Sequence, residues 1–269
     1  MAEASDPLSA LIAMARLALA AAGLVKCEAS PGNVYWSGGK GQQTIVLVHG
    51  ANDQAGTWAA VVPALAKNAK LIVPDLAGHG ESEPKTGPIT LPVMVAKLHE
   101  VLEKEKAAKV TLVGNSMGAW VAILYALEHP DRVERLALES GGGLALPPGV
   151  PLFASNREEA VRIMHAVHGP DYAIADWQID ALLARKTDSP MARVMAGNVF
   201  PHFVDARLKD LKVPATIVWG EHDGVVLRSY VDKLQAGIAG SRLCVVPGAA
   251  HIPHAQQPER FIQCLQATS

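Results

Sequence analysis

Val110-Thr111-Leu112-Val113-Gly114-Asn115-Ser116-Met117-Gly118 is the stretch that decides how this chain folds. Val110–Val113 is a short run of β-branched and aliphatic residues, the composition of a strand buried on both faces. From Met117 to His129 the residues are mostly helix formers, so a helix is expected there. Between them stands G-x-S-x-G. A strand that turns sharply into a helix holds its serine in a strained backbone conformation with the hydroxyl exposed. The glycines are needed where neighbouring elements approach too closely for a side chain. The pentapeptide alone arises often by chance, and the flanking strand and helix give it weight. Ser116 is therefore the candidate nucleophile.

A serine hydroxyl is a weak nucleophile without a base. His251 is the candidate, in Pro247-Gly248-Ala249-Ala250-His251 just after the expected strand Leu243–Val246. His254, three residues on, is its rival. His49 and His79 sit beside glycines and read as loop supports, while His99, His129, His165, His168 and His202 fall on helices or in the inserted stretch described below. The base needs a third group to fix its tautomer and stabilise its charge. Asp223 follows the strand that ends Val218-Trp219-Gly220, and the order Ser116, Asp223, His251 is nucleophile, acid, base. Glu139, directly after Arg135–Leu138, is the alternative acid. His49-Gly50-Ala51 ends another buried strand, so the backbone N–H groups of Ala51 and Met117 are candidates for an oxyanion hole. Asn52 and Trp58 are candidates for the substrate pocket, with loop capping and core packing as their plain alternatives.

Outward from this centre, short apolar strands alternate with helical stretches. Strands are expected at Thr44–Val48, Leu71–Val73, Val110–Val113, Arg135–Leu138, Ala215–Trp219 and Leu243–Val246, with Val34–Trp36 and the stretch before it as antiparallel edge strands. Helices are expected at Trp58–Lys67, Leu91–Lys104, Met117–His129, Leu227–Gly237 and Pro258–Gln266. That alternation is the pattern of an α/β fold with a mostly parallel central sheet flanked by helices. Across 144–209 the strands stop. Ala160, Ile163, Met164 and Val167, then Trp177, Ile179, Leu182 and Leu183, recur at helical spacing between prolines. A stretch this long is no ordinary loop, so 144–209 reads as a helical cap inserted between core segments 26–143 and 210–269.

The chain has 269 residues, 49 % hydrophobic and 19 % charged, with a formal net charge of −2. Such a balance excludes disorder and offers no basic stripe for nucleic acid. Cys27, Cys244 and Cys264 show no CxxC spacing, so neither a zinc site nor a disulfide framework is implied, and a reducing, cytoplasmic setting is expected. No metal or organic cofactor is implied either. Residues 1–25 form a separate apolar segment. Leu8, Leu11, Ile12, Ala15 and Leu19 share one face at helical spacing and Asp6 stands where a helix cap would, so a helix docked on the protein's own surface is expected. The alternatives are peripheral membrane contact through residues 8–25, or export through a signal peptide.

Taken together, His49-Gly50, Pro74-Asp75-Leu76-Ala77-Gly78-His79-Gly80-Glu81-Ser82, Gly114-Asn115-Ser116-Met117-Gly118, Trp219-Gly220-Glu221-His222-Asp223 and Gly248-Ala249-Ala250-His251 resemble the α/β-hydrolase superfamily over about residues 33 to 265. Within it the chain looks like capped esterases, lipases and the meta-cleavage-product C–C hydrolases. The resemblance implies Ser116 as nucleophile, His251 as base, Asp223 as acid and Ala51 with Met117 as oxyanion hole. Serine at the elbow speaks against epoxide hydrolases and haloalkane dehalogenases, which use aspartate there. C–C hydrolases usually carry a glycine-rich loop after His-Gly and a tryptophan after the base, where this chain has Ala51-Asn52-Asp53 and Ile252. The expectation is a small-molecule carboxylic ester of short-to-medium acyl chain, cleaved through an acyl-enzyme. C–C hydrolysis and a catalytically silent receptor of the same fold are the alternatives.

Overall fold

The computed structural model describes residues 7–184 and 188–266. Its frame is one sheet of eight strands: β1 (Val25–Glu28), β2 (Val34–Gly39), β3 (Thr44–Val48), β4 (Lys70–Pro74), β5 (Val110–Asn115), β6 (Val133–Glu139), β7 (Ala215–Gly220) and β8 (Arg242–Val246). They lie in the order β1-β2-β4-β3-β5-β6-β7-β8. β1 pairs antiparallel with β2 and β2 with β4, while every pairing from β4 to β8 is parallel. All residues of β5 and β7 are buried, whereas β1 and β8 at the two edges are largely exposed. Apolar content tracks that position, since only central strands are covered on both faces.

The helices are α1 (Pro7–Ala21), α2 (Val62–Leu65), α3 (Leu91–Lys104), α4 (Met117–Glu128), α5 (Arg157–His168), α6 (Asp176–Ala184), α7 (Pro190–Met195), α8 (Arg228–Gly237), α9 (Pro253–Gln256) and α10 (Pro258–Gln266). Successive strand residues face opposite sides, and two separate cores follow. Val46, Val48, Leu112, Leu136 and Ile217 pack with α3, α4 and α8. Leu47, Val73, Val113, Ala137 and Val218 pack with Leu19 of α1, Trp58, and Phe261 and Cys264 of α10. Ala160, Ile163, Met164 and Ile179 make a third, small core between α5 and α6. Side-chain caps start three of these helices: Thr90 accepts from the Val93 N–H, Asn156 from Glu159 and Ser189 from Ala192.

Between β6 and β7 the described residues hold helices and turns and no strand. This segment lies against the loops at the carboxyl ends of the strands. Val167 O accepts the His251 N–H, Ala166 O accepts the Gly224 N–H, and His168 O accepts from Gln256 Nε2.

Four expectations need correction. The helix expected over Trp58–Lys67 is a 3₁₀ turn, Ala55–Ala60, followed by the single turn α2, because Pro63 has no N–H to continue a helix and is accepted only at a new start. The N-terminal helix ends at Ala21, and Val25 already pairs with Ser37 in β1. Leu11 does not share the docked face of α1: it is 50 % exposed while Leu19 is fully buried. Asp6 lies outside the described residues. Finally, Cys244 of β8 and Cys264 of α10 form a disulfide with their Cα atoms 5.9 Å apart. Their separation of 20 residues hides the pairing, which only the packing of α10 on the sheet creates. Among the described residues no helix is long and apolar enough to cross a membrane.

Candidate active site

Ser116 occupies the turn between β5 and α4 with φ 51° and ψ −115°, a region that a non-glycine residue enters only when its surroundings hold it there. Its N–H donates to the carbonyl of Glu139 at the end of β6, 2.8 Å away. The two glycines of the motif are explained by contact. A Cβ on Gly114 would stand 2.4 Å from the Gly118 carbonyl oxygen, and one on Gly118 2.2 Å from that of Val48. Any side chain at either place would push α4 off the sheet.

Asp223 and His251 meet between the loops that follow β7 and β8. Nδ1 of His251 is 3.1 Å from both carboxylate oxygens of Asp223. Asp223 Oδ1 also accepts the N–H groups of Val225 and Val226, each at 2.9 Å, which fixes the carboxylate's direction. With Nδ1–H donating to Asp223, the free lone pair of the ring is on Nε2, the tautomer a general base requires. Burial alone would push the His251 pKa down, but the Asp223 charge and hydrogen bond, with the Glu139 charge added, hold it above 6.5. Asn115, the residue before Ser116, donates from Nδ2 to the His251 carbonyl at 3.0 Å, so the serine and histidine loops are tied together.

The rival residues pair with each other. Glu139 accepts the His254 N–H on one oxygen and His254 Nδ1 on the other, both at 2.7 Å, and neither side chain is exposed. Glu139 is therefore not the carboxylate bonded to His251, and the His254 ring is bonded to Glu139 and Thr57. His49 accepts the Leu76 N–H on Nε2, with Nδ1 2.7 Å from the Gly50 carbonyl, as a loop support does. His79 is buried, and desolvation drives its pKa down to about 3, so it stays neutral.

Beside Ser116 opens a cavity of about 270 Å³ whose walls include Ala51, Met117, Trp120, Val194, Phe203 and Val226. Its lining contains no charged residue. Trp120 stacks on Phe203 with ring centres 5.1 Å apart and donates to the His202 carbonyl, which fixes one wall. Ala51 and Met117 flank the serine as the sequence suggests, and Met117 is the first residue of α4, where N–H groups have no partner within the helix. The two pocket candidates sit elsewhere. Trp58 is fully buried in the opposite core, its ring 4.2 Å from that of His254. Asn52, at φ 59°, accepts the Met191 N–H and so moors α7 to the loop after β3.

The model of the family described as "Alpha/beta hydrolase family" matches residues 45–263. The chain belongs to the α/β-hydrolase family. A relative from Escherichia coli, the 2-hydroxy-6-oxononadienedioate/2-hydroxy-6-oxononatrienedioate hydrolase, is 27 % identical over 249 residues, covering 84 % of this chain and 86 % of its own. Among solved structures, a bacterial membrane phospholipase A superposes with a TM-score of 0.78 at 21 % identity, over 97 % of this chain and 90 % of that one. A carboxylesterase from Bacillus subtilis does so at 0.75 and 18 % identity, over 96 % and 97 %. At such identities the solved structures speak for the fold, and the family includes esterases and C–C hydrolases alike.

Several site residues escaped the sequence reading. Trp120, Phe203 and Tyr230 line the cavity from three distant segments, and only the fold brings them together. Ser140-Gly141-Gly142-Gly143 forms the floor, and a Cβ on Gly141 would stand 2.4 Å from the Ser116 carbonyl oxygen. The three consecutive glycines after a buried strand were the available signal, since glycine there marks close backbone approach.

Proposed function

We propose that this chain is a serine hydrolase that cleaves carboxylic esters of short-to-medium acyl chain through an acyl-enzyme on Ser116. The observation that carries the reading is the cavity beside Ser116, mostly apolar and without a charged residue in its lining. An ester's acyl chain needs only such a wall. A dienoate substrate of C–C hydrolysis brings a carboxylate, which calls for arginine or a set of strong donors. None of the described arginines of the inserted segment lines the cavity. Arg157 pairs with Asp176, Arg162 and Arg207 face solvent, and Arg193 donates to the carbonyls of Pro84, Thr86 and Gly87. Arg185 lies outside the described residues.

In this mechanism His251 Nε2 takes the Ser116 proton as Oγ attacks the ester carbonyl. Asp223 stabilises the imidazolium that results. The N–H groups of Ala51 and Met117 hold the oxyanion, a contribution on the order of 3 kcal/mol per donor in well-studied cases. His251 then returns its proton to the leaving alcohol and activates a water against the acyl-enzyme. Residues 144–209 act as the cap, closing the cavity over the acyl chain. At about 270 Å³ the cavity is small for a ligand site, which favours compact acyl groups over long lipid chains. The Cys244–Cys264 disulfide supports an oxidising compartment as the working environment in place of the cytoplasm.

Turnover of p-nitrophenyl esters from acetate to palmitate, measured beside a dienoic diketone, tests the substrate class. Each methylene that fits should add roughly 0.8 kcal/mol of binding until the cavity is full, so kcat/KM should peak at short-to-medium length and fall after it. Faster turnover of the diketone than of any ester, or a steady rise through palmitate, would overturn the assignment.

A further inference from the structure

His254 makes contacts that the reaction just described does not use. Its N–H and its Nδ1 meet the two oxygens of Glu139, each at 2.7 Å. Its Nε2 is 3.1 Å from Thr57 Oγ1, and its ring packs 4.2 Å from Trp58 and 6.0 Å from Phe261. The main chain of Glu139 points the other way, its carbonyl accepting the Ser116 N–H at 2.8 Å. One buried pair thus bonds into three places that a hydrolase must hold in register. These are the elbow of Ser116, the turn α9 just beyond His251, and the 3₁₀ turn that follows the Ala51 loop. Between the pair and the base lie only Ile252 and Pro253, and the His251 carbonyl is itself tied to Asn115.

A buried carboxylate and imidazole are costly to desolvate, so the pair is weak evidence for stability as such. What a Glu–His pair adds is direction. Two hydrogen bonds to one carboxylate, one from backbone and one from ring, set the angle at which α9 leaves the base loop.

Resting on the serine-hydrolase reading, we propose that Glu139 and His254 are positioning residues of that reaction, locking the base loop to the nucleophile elbow so that the His251 ring stays aligned with Ser116. Glu139 also acts on His251 by charge. The groups facing His251 are Asp223 from the loop after β7, Glu139 from β6 and His168 from α5, with His254 on its own segment. Of the four, Asp223 and Glu139 are the anions that favour its protonated form.

Ester turnover over a range of pH tests the pair. Glu139→Gln keeps the size but loses the charge and one acceptor. Its kcat should fall roughly 10- to 100-fold with KM little changed, as expected when a reacting group is misplaced by a fraction of an ångström. The acid limb of kcat/KM, which reports His251 in the free enzyme, should move to lower pH. His254→Asn keeps a donor near the place of Nδ1 and should recover most of the activity that His254→Leu loses. If Glu139→Gln does not fold, the contrast between Asn and Leu at 254 decides the matter. Equal activity in these two variants, or a Glu139→Gln enzyme with wild-type kcat and an unmoved acid limb, would overturn the pairing alone. A wild type that turns over no ester would instead overturn the serine-hydrolase reading, and this inference with it.

Discussion

Ser116 carries a backbone conformation that costs a residue with a side chain on the order of 1–3 kcal/mol. The strain persists because Gly114, Gly118 and Gly141 let β3, α4 and the floor loop press against it. Asp223 and His251 needed no such strain to be legible, since each follows a strand in a short turn. Which acid meets which histidine was less legible. Glu139 ends β6 and Asp223 lies in the loop after β7, and only the packing of α9 sends His254 to Glu139. Trp58 and Asn52 misled because an aromatic and an amide beside the oxyanion loop suit a pocket as well as a core or a tether. The assignment predicts a pH profile. Burial disfavours the His251 cation, but Asp223 outweighs it, so the pKa is raised. Activity needs the neutral ring, so kcat/KM should rise with pH through a midpoint above 6.5. Asp223→Asn should lower kcat by about 10⁴, because the amide favours the wrong imidazole tautomer. A variant within tenfold of wild type at its best pH would remove Asp223 from its role.

At the scale of elements, the central strands β3 to β7 were legible because a strand covered on both faces is largely apolar, and the exposed edge strand β8 was legible from its Leu243–Val246 run alone. The helix after β3 was misread where Pro63 breaks it. The N-terminal helix was misread by one face. Its inward side is fixed by Leu19 and by its only charge: Arg16 reaches Glu81 at 2.6 Å, Gln54 at 3.2 Å and Asp75 at 3.5 Å. Spacing alone could not place that charge, because Glu81 and Asp75 come from the loop after β4. Leu11, Met14 and Leu17 form the outer side, 50 %, 66 % and 68 % exposed. The two sides should therefore separate by experiment. Arg16→Ala with Leu19→Ala should lower Tm by several degrees, since a buried leucine and a partly buried ion-pair network are both lost. Leu11→Gln, Met14→Gln and Leu17→Gln together should leave Tm and turnover unchanged. Any membrane association through residues 8–25 must use that outer side, so liposome co-sedimentation should fall in the triple variant. A triple variant that loses turnover while still folded would contradict this division.

At the scale of the molecule, the α/β order, the helical stretch between β6 and β7, and the strained Ser116 turn with the Asp223 and His251 loops after it in the chain were all readable, because each is local or sequential. What was not readable is non-local: the Cys244–Cys264 bond, the cavity walls gathered from distant segments, and the mooring of α7 by Asn52. These depend on how layers stack, and a single chain of letters carries little of that. The stacking is nonetheless what turns a strained serine into a candidate enzyme, since it sets a mostly apolar cavity beside Ser116 and ties the carboxylate-backed histidine loop to the serine turn through Asn115. The most direct measurement is peptide mapping by mass spectrometry after rapid acid quench of the enzyme with p-nitrophenyl butyrate. The butyryl group should appear on the peptide that holds Ser116, with a burst of nitrophenol to match, and both should vanish in Ser116→Ala. Ester turnover that survives in Ser116→Ala, or an acyl group carried on any other residue, would contradict the account.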